Sequence, residues 1–280
     1  MSKSRIVVGQ GEWTTDTETN LQRMEAFVDG LSADWGNLVD LVTFCEYAVT
    51  GWDPRLVSPE SAHPIPGPVT ERLGALAQKS GYYICNGSML ERADDGVYNT
   101  ALIFGPDGEI VHKYRKTFPW SQGAENVKEG REFPVSDLPD VGKVGTMICY
   151  DGMMPECARA LAFNGAEIIL WNSMAFHPLT AVTVAAATSR AFENSCYIVL
   201  ACGSGTHVGL GLIGNSMFVD PNGVVMSQAG DAPTLFMDVV DTDIVKTART
   251  DGSKSMCKPL ETLAQFAHEY PQYQYAASVK

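Results

Sequence analysis

Three side chains of this sequence could do chemistry together: a thiol, a carboxylate and an ammonium, each at the end of a strand-like run. In "KVGTMICYDGMMPE" (143–156) a strand-like stretch, Val144 to Ile148, runs into Cys149 and then at once into Tyr-Asp-Gly and a helix start, with Pro155 suited to the first turn. Such a turn exposes a sulfur, and a nearby helix N-terminus favours the thiolate. A free thiol is mostly protonated at neutral pH, so a nucleophilic cysteine also needs a base. Histidine is the obvious partner, yet His112 lies inside a hairpin strand and His177 precedes Pro178. Carboxylates are better placed. Glu46 directly follows "LVDLVTFC", and Lys116 lies just past the strand begun at Glu109. Spacing alone does not bring the three together.

The elements that would position them alternate in type. "RIVVGQ" reads as a first strand, and "TETNLQRMEAFVDGLSADW" as a helix with Leu21, Met24, Phe27, Val28 and Leu31 on one face. A second strand in "NLVDLVTFCE" is followed by a helix opened by Pro68 and closed by Gly81. Pro106-Asp107-Gly108 and Pro221-Asn222-Gly223 mark two hairpin turns. A helix from about Met154 to Asn164, the strand "AEIILWNS", the helix "LTAVTVAAATSRAFENS" and the strand "CYIVLACGSG" continue the alternation, and "TLFMDVVD" reads as a last core strand. This pattern implies an α/β fold with mixed sheets, whose catalytic groups gather at the carboxyl ends of strands. With no composition break, residues 1–250 read as a single domain and 251–280 as a C-terminal tail.

Composition narrows the function. The 280 residues carry 33 acidic and 20 basic side chains, a net charge of −13 with histidine neutral. That argues against a nucleic-acid surface or an anionic membrane as partner. No run approaches the roughly 18 apolar residues of a membrane span, and the start is too short in apolar residues for a signal peptide, so a cytoplasmic location is expected. Seven cysteines at irregular spacing, with no CxxC, do not form a disulfide framework or a metal-ligand pattern. No metal is expected.

The motifs "FCEYAVTGW", "HKYRKTFPW" and "ICYDGMMPE", in this order, resemble those of the nitrilase superfamily, the carbon–nitrogen hydrolases. "RAFENSCYIV" and "GNSMFVDPNGVV" extend the resemblance over nearly the whole chain. It implies a four-layer α-β-β-α sandwich, no cofactor, and a catalytic set of Glu46, Lys116 and Cys149. A second glutamate follows the lysine in the family; Glu125 is the best match and Glu129 its rival. The implied chemistry has Glu46 take the thiol proton, Cys149 attack a carbonyl carbon, and Lys116 with the Tyr150 N–H hold the oxyanion. Many branches carry an arginine two residues beyond the aspartate, where this chain has Met153. Its absence weakens an ω-amide or N-carbamoyl amino acid reading. Asp151-Gly152 together with "KTFPW" is similar to the aliphatic amidase and formamidase branch, whose members usually carry a longer C-terminal extension.

The expected activity is hydrolysis of small primary amides to acid and ammonia through a thioester. Nitrile hydrolysis, N-carbamoyl hydrolysis and acyl transfer to an amine remain as alternatives on the same fold, and a non-catalytic binding subunit as a further one. By position, Tyr47, Trp52, Trp120 and the stretch Trp171, Asn172, Ser173 and Met174 are pocket candidates. Trp120 and Met174 would wall a small neutral amide. Arg190, Glu193 and Asn194 read as helix ion pairing and packing or an oligomer contact. The resemblance implies a homodimer or larger homo-oligomer, with the aromatic tail "HEYPQYQY" able to cover a neighbour.

Overall fold

The computed structural model describes residues 3–120 and 125–250. In chain order the first half contains β1 (Lys3–Gln10), α1 (Thr17–Trp35), β2 (Leu41–Phe44), α2 (Pro68–Ser80), β3 (Tyr83–Cys85), β4 (Met89–Ala93), β5 (Gly96–Phe104) and β6 (Ile110–Arg115). The second half contains β7 (Val135–Leu138), β8 (Gly142–Ile148), α3 (Pro155–Phe163), β9 (Ile168–Ser173), α4 (Thr180–Asn194) and β10 (Tyr197–Cys202). It ends with β11 (Thr206–His207), β12 (Leu210–Gly211), β13 (Met217–Val219), β14 (Val225–Gln228), β15 (Thr234–Asp241) and α5 (Thr242–Thr250). Short 3-10 turns cover Gly36–Leu38 and Cys149–Met153.

Two mixed sheets result. The first runs β15-β1-β2-β3-β5-β4 with β6 also paired to β5, and the second runs β14-β13-β10-β9-β8-β7. Each has a parallel centre, β1-β2-β3 and β8-β9-β10, flanked by antiparallel strands. Parallel strands covered on both faces need apolar residues on both, which is why β1 and β2 read as unbroken apolar runs. Ile6 and Val8 point into the layer between the sheets, against Val144, Ile168, Leu170 and Val199. Val7, Val42 and Phe44 point the other way, onto Leu21, Met24 and Val28 of α1 and Leu73 of α2. On the second sheet, Met147, Ile169 and Leu200 pack under Ala158 and Leu161 of α3 and Ala186, Ala187 and Ala191 of α4. The layers are therefore helix, sheet, sheet, helix, as expected.

Local signals explain the helix ends. The Asp16 side chain accepts the Thr19 N–H at 2.8 Å, capping α1. Gly81, with φ of 75°, closes α2 by donating its N–H to the Ala77 carbonyl at 2.9 Å. One strand expectation changes. "TLFMDVVD" does form β15, but as an edge strand beside β1 with only Val240 buried, so it is not a core strand. The C-terminal segment 251–280, with its expected interface role, lies outside the described residues. Among the described residues, no helix is long and apolar enough to cross a membrane.

Candidate active site

The strand ends converge. Glu46 lies two residues past β2, Lys116 one past β6, Cys149 one past β8, and Met174 one past β9. A cavity of about 350 Å³ opens over them and is lined by all four together with Glu125. The two sheets are tied directly beneath: Asn172 of β9 donates to the Thr43 hydroxyl of β2 at 2.8 Å and to the Phe44 carbonyl.

Lys116 sits between two carboxylates. Its Nζ donates to Glu46 Oε1 at 2.7 Å and to Glu125 Oε2 at 2.8 Å, with all three side chains buried. Glu46 also accepts from Asn99 Nδ2 at 2.9 Å and from the Met174 N–H at 3.1 Å. Glu125 accepts from Asn99 Nδ2 at 2.8 Å, the Tyr47 hydroxyl at 2.6 Å and the Trp120 N–H at 2.6 Å. Glu129, the rival, is not among the cavity-lining residues; it lines a separate surface depression with Lys128 and Arg131.

The two carboxyls are pushed apart. Burial raises Glu46 above its ordinary value; the Lys116 ammonium opposes this, and the Glu125 charge adds to it. Burial also raises Glu125, but there Lys116, the Tyr47 hydroxyl and the Trp120 N–H outweigh it, and the net direction is down. Burial works against the Lys116 ammonium, yet Glu46 and Glu125 hold its pKa above the usual lysine value. Glu46 is thus the carboxylate ready to take a proton, and Glu125 the one that stays ionised. The Cys149 thiol is pushed well up by its enclosure and then by Glu46, while Lys116 and a hydrogen bond with Ser173 favour the thiolate. The turn therefore does not lower the thiol by itself, in keeping with the need for a base read from the sequence.

The turn at Cys149 is strained and braced. Cys149 has φ of 47° and Tyr47 φ of 56°, a left-handed conformation uncommon outside glycine. Asp151 holds the turn from within: its carboxylate accepts the Ile148 N–H at 3.0 Å, the Tyr114 hydroxyl at 2.7 Å and the Phe118 N–H at 2.8 Å. Burial pushes Asp151 up to about 6, against the pull of Lys116 and these donors. Gly152 has no side chain because a Cβ there would lie 2.0 Å from the Trp171 ring. Arg190, expected to serve pairing and packing, does pair with Glu193 at 2.9 Å; it also donates to the Gly152 and Met153 carbonyls, both at 3.1 Å.

Of the pocket candidates, Tyr47, Trp52, Trp120, Tyr150, Ser173 and Met174 line the cavity, as does Met153. Trp171 does not. It is fully buried under the turn, and its indole N–H donates to the Cys149 carbonyl at 2.8 Å, so it braces the turn from below. Asn99 and the cavity-lining His207 were not singled out from sequence, and Asp151 was read only as part of the motif wording. An asparagine inside the apolar strand "NTALIF" was the available signal for Asn99. Among the described residues, no group of three or more His, Cys, Asp or Glu side chains is arranged to hold a metal ion.

A buried carboxylate–ammonium–carboxylate cluster with a cysteine at the ends of strands from two facing sheets defines a class of hydrolase acting on carbon–nitrogen bonds. The carbon-nitrogen hydrolase family model matches residues 5–249, and the chain belongs to that family. It is 31% identical to the omega-amidase NIT2 of Xenopus tropicalis over 68% of this chain and 73% of that one. A formamidase of Bacillus cereus is 32% identical over 66% of this chain but only 56% of its own length. Among solved structures, Saccharomyces cerevisiae Nit3, a member of branch 10 of the nitrilase superfamily, aligns with a TM-score of 0.79 at 25% identity, covering 90% of this chain and 94% of its own.

Proposed function

We propose that this protein is a cysteine-dependent amidase that converts neutral primary amides to acid and ammonia through a thioester. The observation that carries the reading is the single ammonium shared by two buried carboxylates beside Cys149. As Cys149 Sγ attacks the amide carbonyl carbon, Glu46 takes the thiol proton. Lys116 has three donors, of which two are engaged by Glu46 and Glu125, so the third is free for the oxyanion together with the Tyr150 N–H. Glu46 then returns its proton to the leaving nitrogen; ammonia departs and the thioester forms. Water, deprotonated by Glu46, attacks the thioester, and acid and thiol are regenerated. Glu125 holds Lys116 in place throughout.

Relatives are named for omega-amides and for formamide. Here the neutral reading is favoured by charge. Lys116 is the one lysine or arginine among the described residues lining the cavity, and both neighbouring carboxylates already claim it. Met153 lines the wall where an arginine would otherwise be available to a substrate carboxylate. Ammonia release from neutral amides by the wild-type protein, reduced about 10³-fold or more in Cys149→Ala, is the expected result. A mutant as fast as wild type would overturn it.

A further inference from the structure

Resting on the amidase reading, we infer that the substrate's acyl group is apolar and of medium size, a hexanoyl or arylacetyl group rather than formyl or acetyl. The cavity is far larger than the reacting centre requires. About 350 Å³ holds about a dozen water-sized groups at about 30 Å³ each. Formamide or acetamide would leave most of that space to water. Removing the carboxamide itself leaves room for about nine further heavy atoms.

The chemistry of the walls says what those atoms are. Tyr47, Trp52, Trp120 and Phe176 form a continuous aromatic wall, with ring centroids 6.2, 6.5 and 5.3 Å apart in succession. Met153, Leu179 and Leu212 supply further apolar lining. The polar lining is concentrated where the amide reacts, in Glu46, Lys116, Glu125, Cys149 and Ser173, which hydrogen-bonds Cys149, and in His207. His207 is already engaged at both ring nitrogens, Nδ1 with the Trp13 carbonyl at 3.0 Å and Nε2 accepting the Trp52 N–H at 3.1 Å. No charged group among the described lining residues is left over for an acidic acyl end. Apolar lining also continues outward: Tyr150, Val182 and Leu210 line the cavity while 37%, 49% and 41% exposed. An acyl chain reaching past the aromatic wall would cover apolar surface now in contact with water.

Each methylene buried along such a wall raises kcat/KM by roughly three- to tenfold. The test is kcat/KM for ammonia release by the full chain from formamide, acetamide, butyramide, hexanamide, phenylacetamide and the ω-amide of a dicarboxylate. The expected result is a rise of about 10²-fold or more from acetamide to hexanamide, with phenylacetamide comparable and the ω-amide poor. Val182→Glu, at an exposed position, should lower the hexanamide-to-acetamide ratio. A maximum at formamide or acetamide overturns this inference and leaves the amidase reading standing. A preference for the ω-amide overturns it and the neutral-substrate reading as well. No ammonia from any amide, with Cys149 still alkylated by iodoacetamide, overturns the amidase reading and this inference with it.

Discussion

Two carboxylate–cation clusters flank the same stretch, His112 to Lys116, and they differ in arithmetic. On one side Glu91 is the single carboxylate for two cations, Arg115 at 2.7 Å and Lys113, with the Thr100 hydroxyl at 2.7 Å completing its shell. On the other, Lys116 is the single cation for two carboxylates, Glu46 and Glu125. Burial raises both Glu91 and Glu46. At Glu91 the hydrogen bonds from Arg115, Lys113 and Thr100 win, and its pKa falls below the ordinary value. At Glu46 half a cation does not offset burial and a neighbouring charge, and the pKa stays raised. The difference teaches that a buried ion pair becomes a proton acceptor when negative charge is in excess. The Glu91 cluster is a clamp on the sheet; in the proposed mechanism the Glu46 cluster holds the base.

The largest effect should come from removing the shared cation. Lys116→Met leaves two buried carboxylates facing each other, and urea denaturation is expected to show a loss of about 3–5 kcal/mol, with activity lost as well. Glu46→Gln should separate function from stability. It keeps a hydrogen-bonding side chain but removes the base, so kcat/KM should fall about 10²–10⁴-fold while the denaturation midpoint holds or rises, because the excess charge is gone.

Glu91→Gln should do the reverse, costing about 1–2 kcal/mol because Lys113 and Arg115 are a third exposed and regain water, with activity changed by no more than a few-fold. Because the folded-state pKa of Glu91 is lowered, its contribution is present above the ordinary 4.5 and is lost as pH falls through the folded value. Glu46 has the opposite sign: its contribution is present below 4.5 and is lost as pH rises through its raised value. The stability difference between wild type and Glu91→Gln should therefore shrink toward acid, and that between wild type and Glu46→Gln should shift in favour of wild type.

The smallest effect is a shift in a pH profile. Glu125→Gln removes the charge that raises Glu46 and leaves Lys116 wholly to it, so the Glu46 pKa must fall. The acid limb of kcat/KM should move to lower pH. An unmoved limb would mean that the two carboxylates are not coupled.

Much of this contrast was legible from residue type and strand position. Glu46 and Cys149 each follow an apolar run, and burial on both faces makes such runs easy to read; Lys116 follows a mixed strand, Ile110–Arg115. The basic string at Lys113, Arg115 and Lys116 was ambiguous, because nothing local tells which cation faces solvent. The partners decide it, and they come from 22, 24 and 70 residues away. Asn99 was hidden for the same reason: its bonds to Glu46 and Glu125 span 53 and 26 residues. Trp171 was misplaced because its position at the end of β9 gives the element but not the face. Only packing against Gly152 turns the indole under Cys149 instead of into the cavity.

The most direct measurement is the pH dependence of Cys149 alkylation by iodoacetamide in wild type and Glu46→Gln. If Glu46 is the base, wild-type reactivity should rise through the raised Glu46 titration, and the mutant should keep only the high-pH limb of a thiol that is pushed well up. Superimposable profiles would contradict the assignment of Glu46 as the base that serves Cys149.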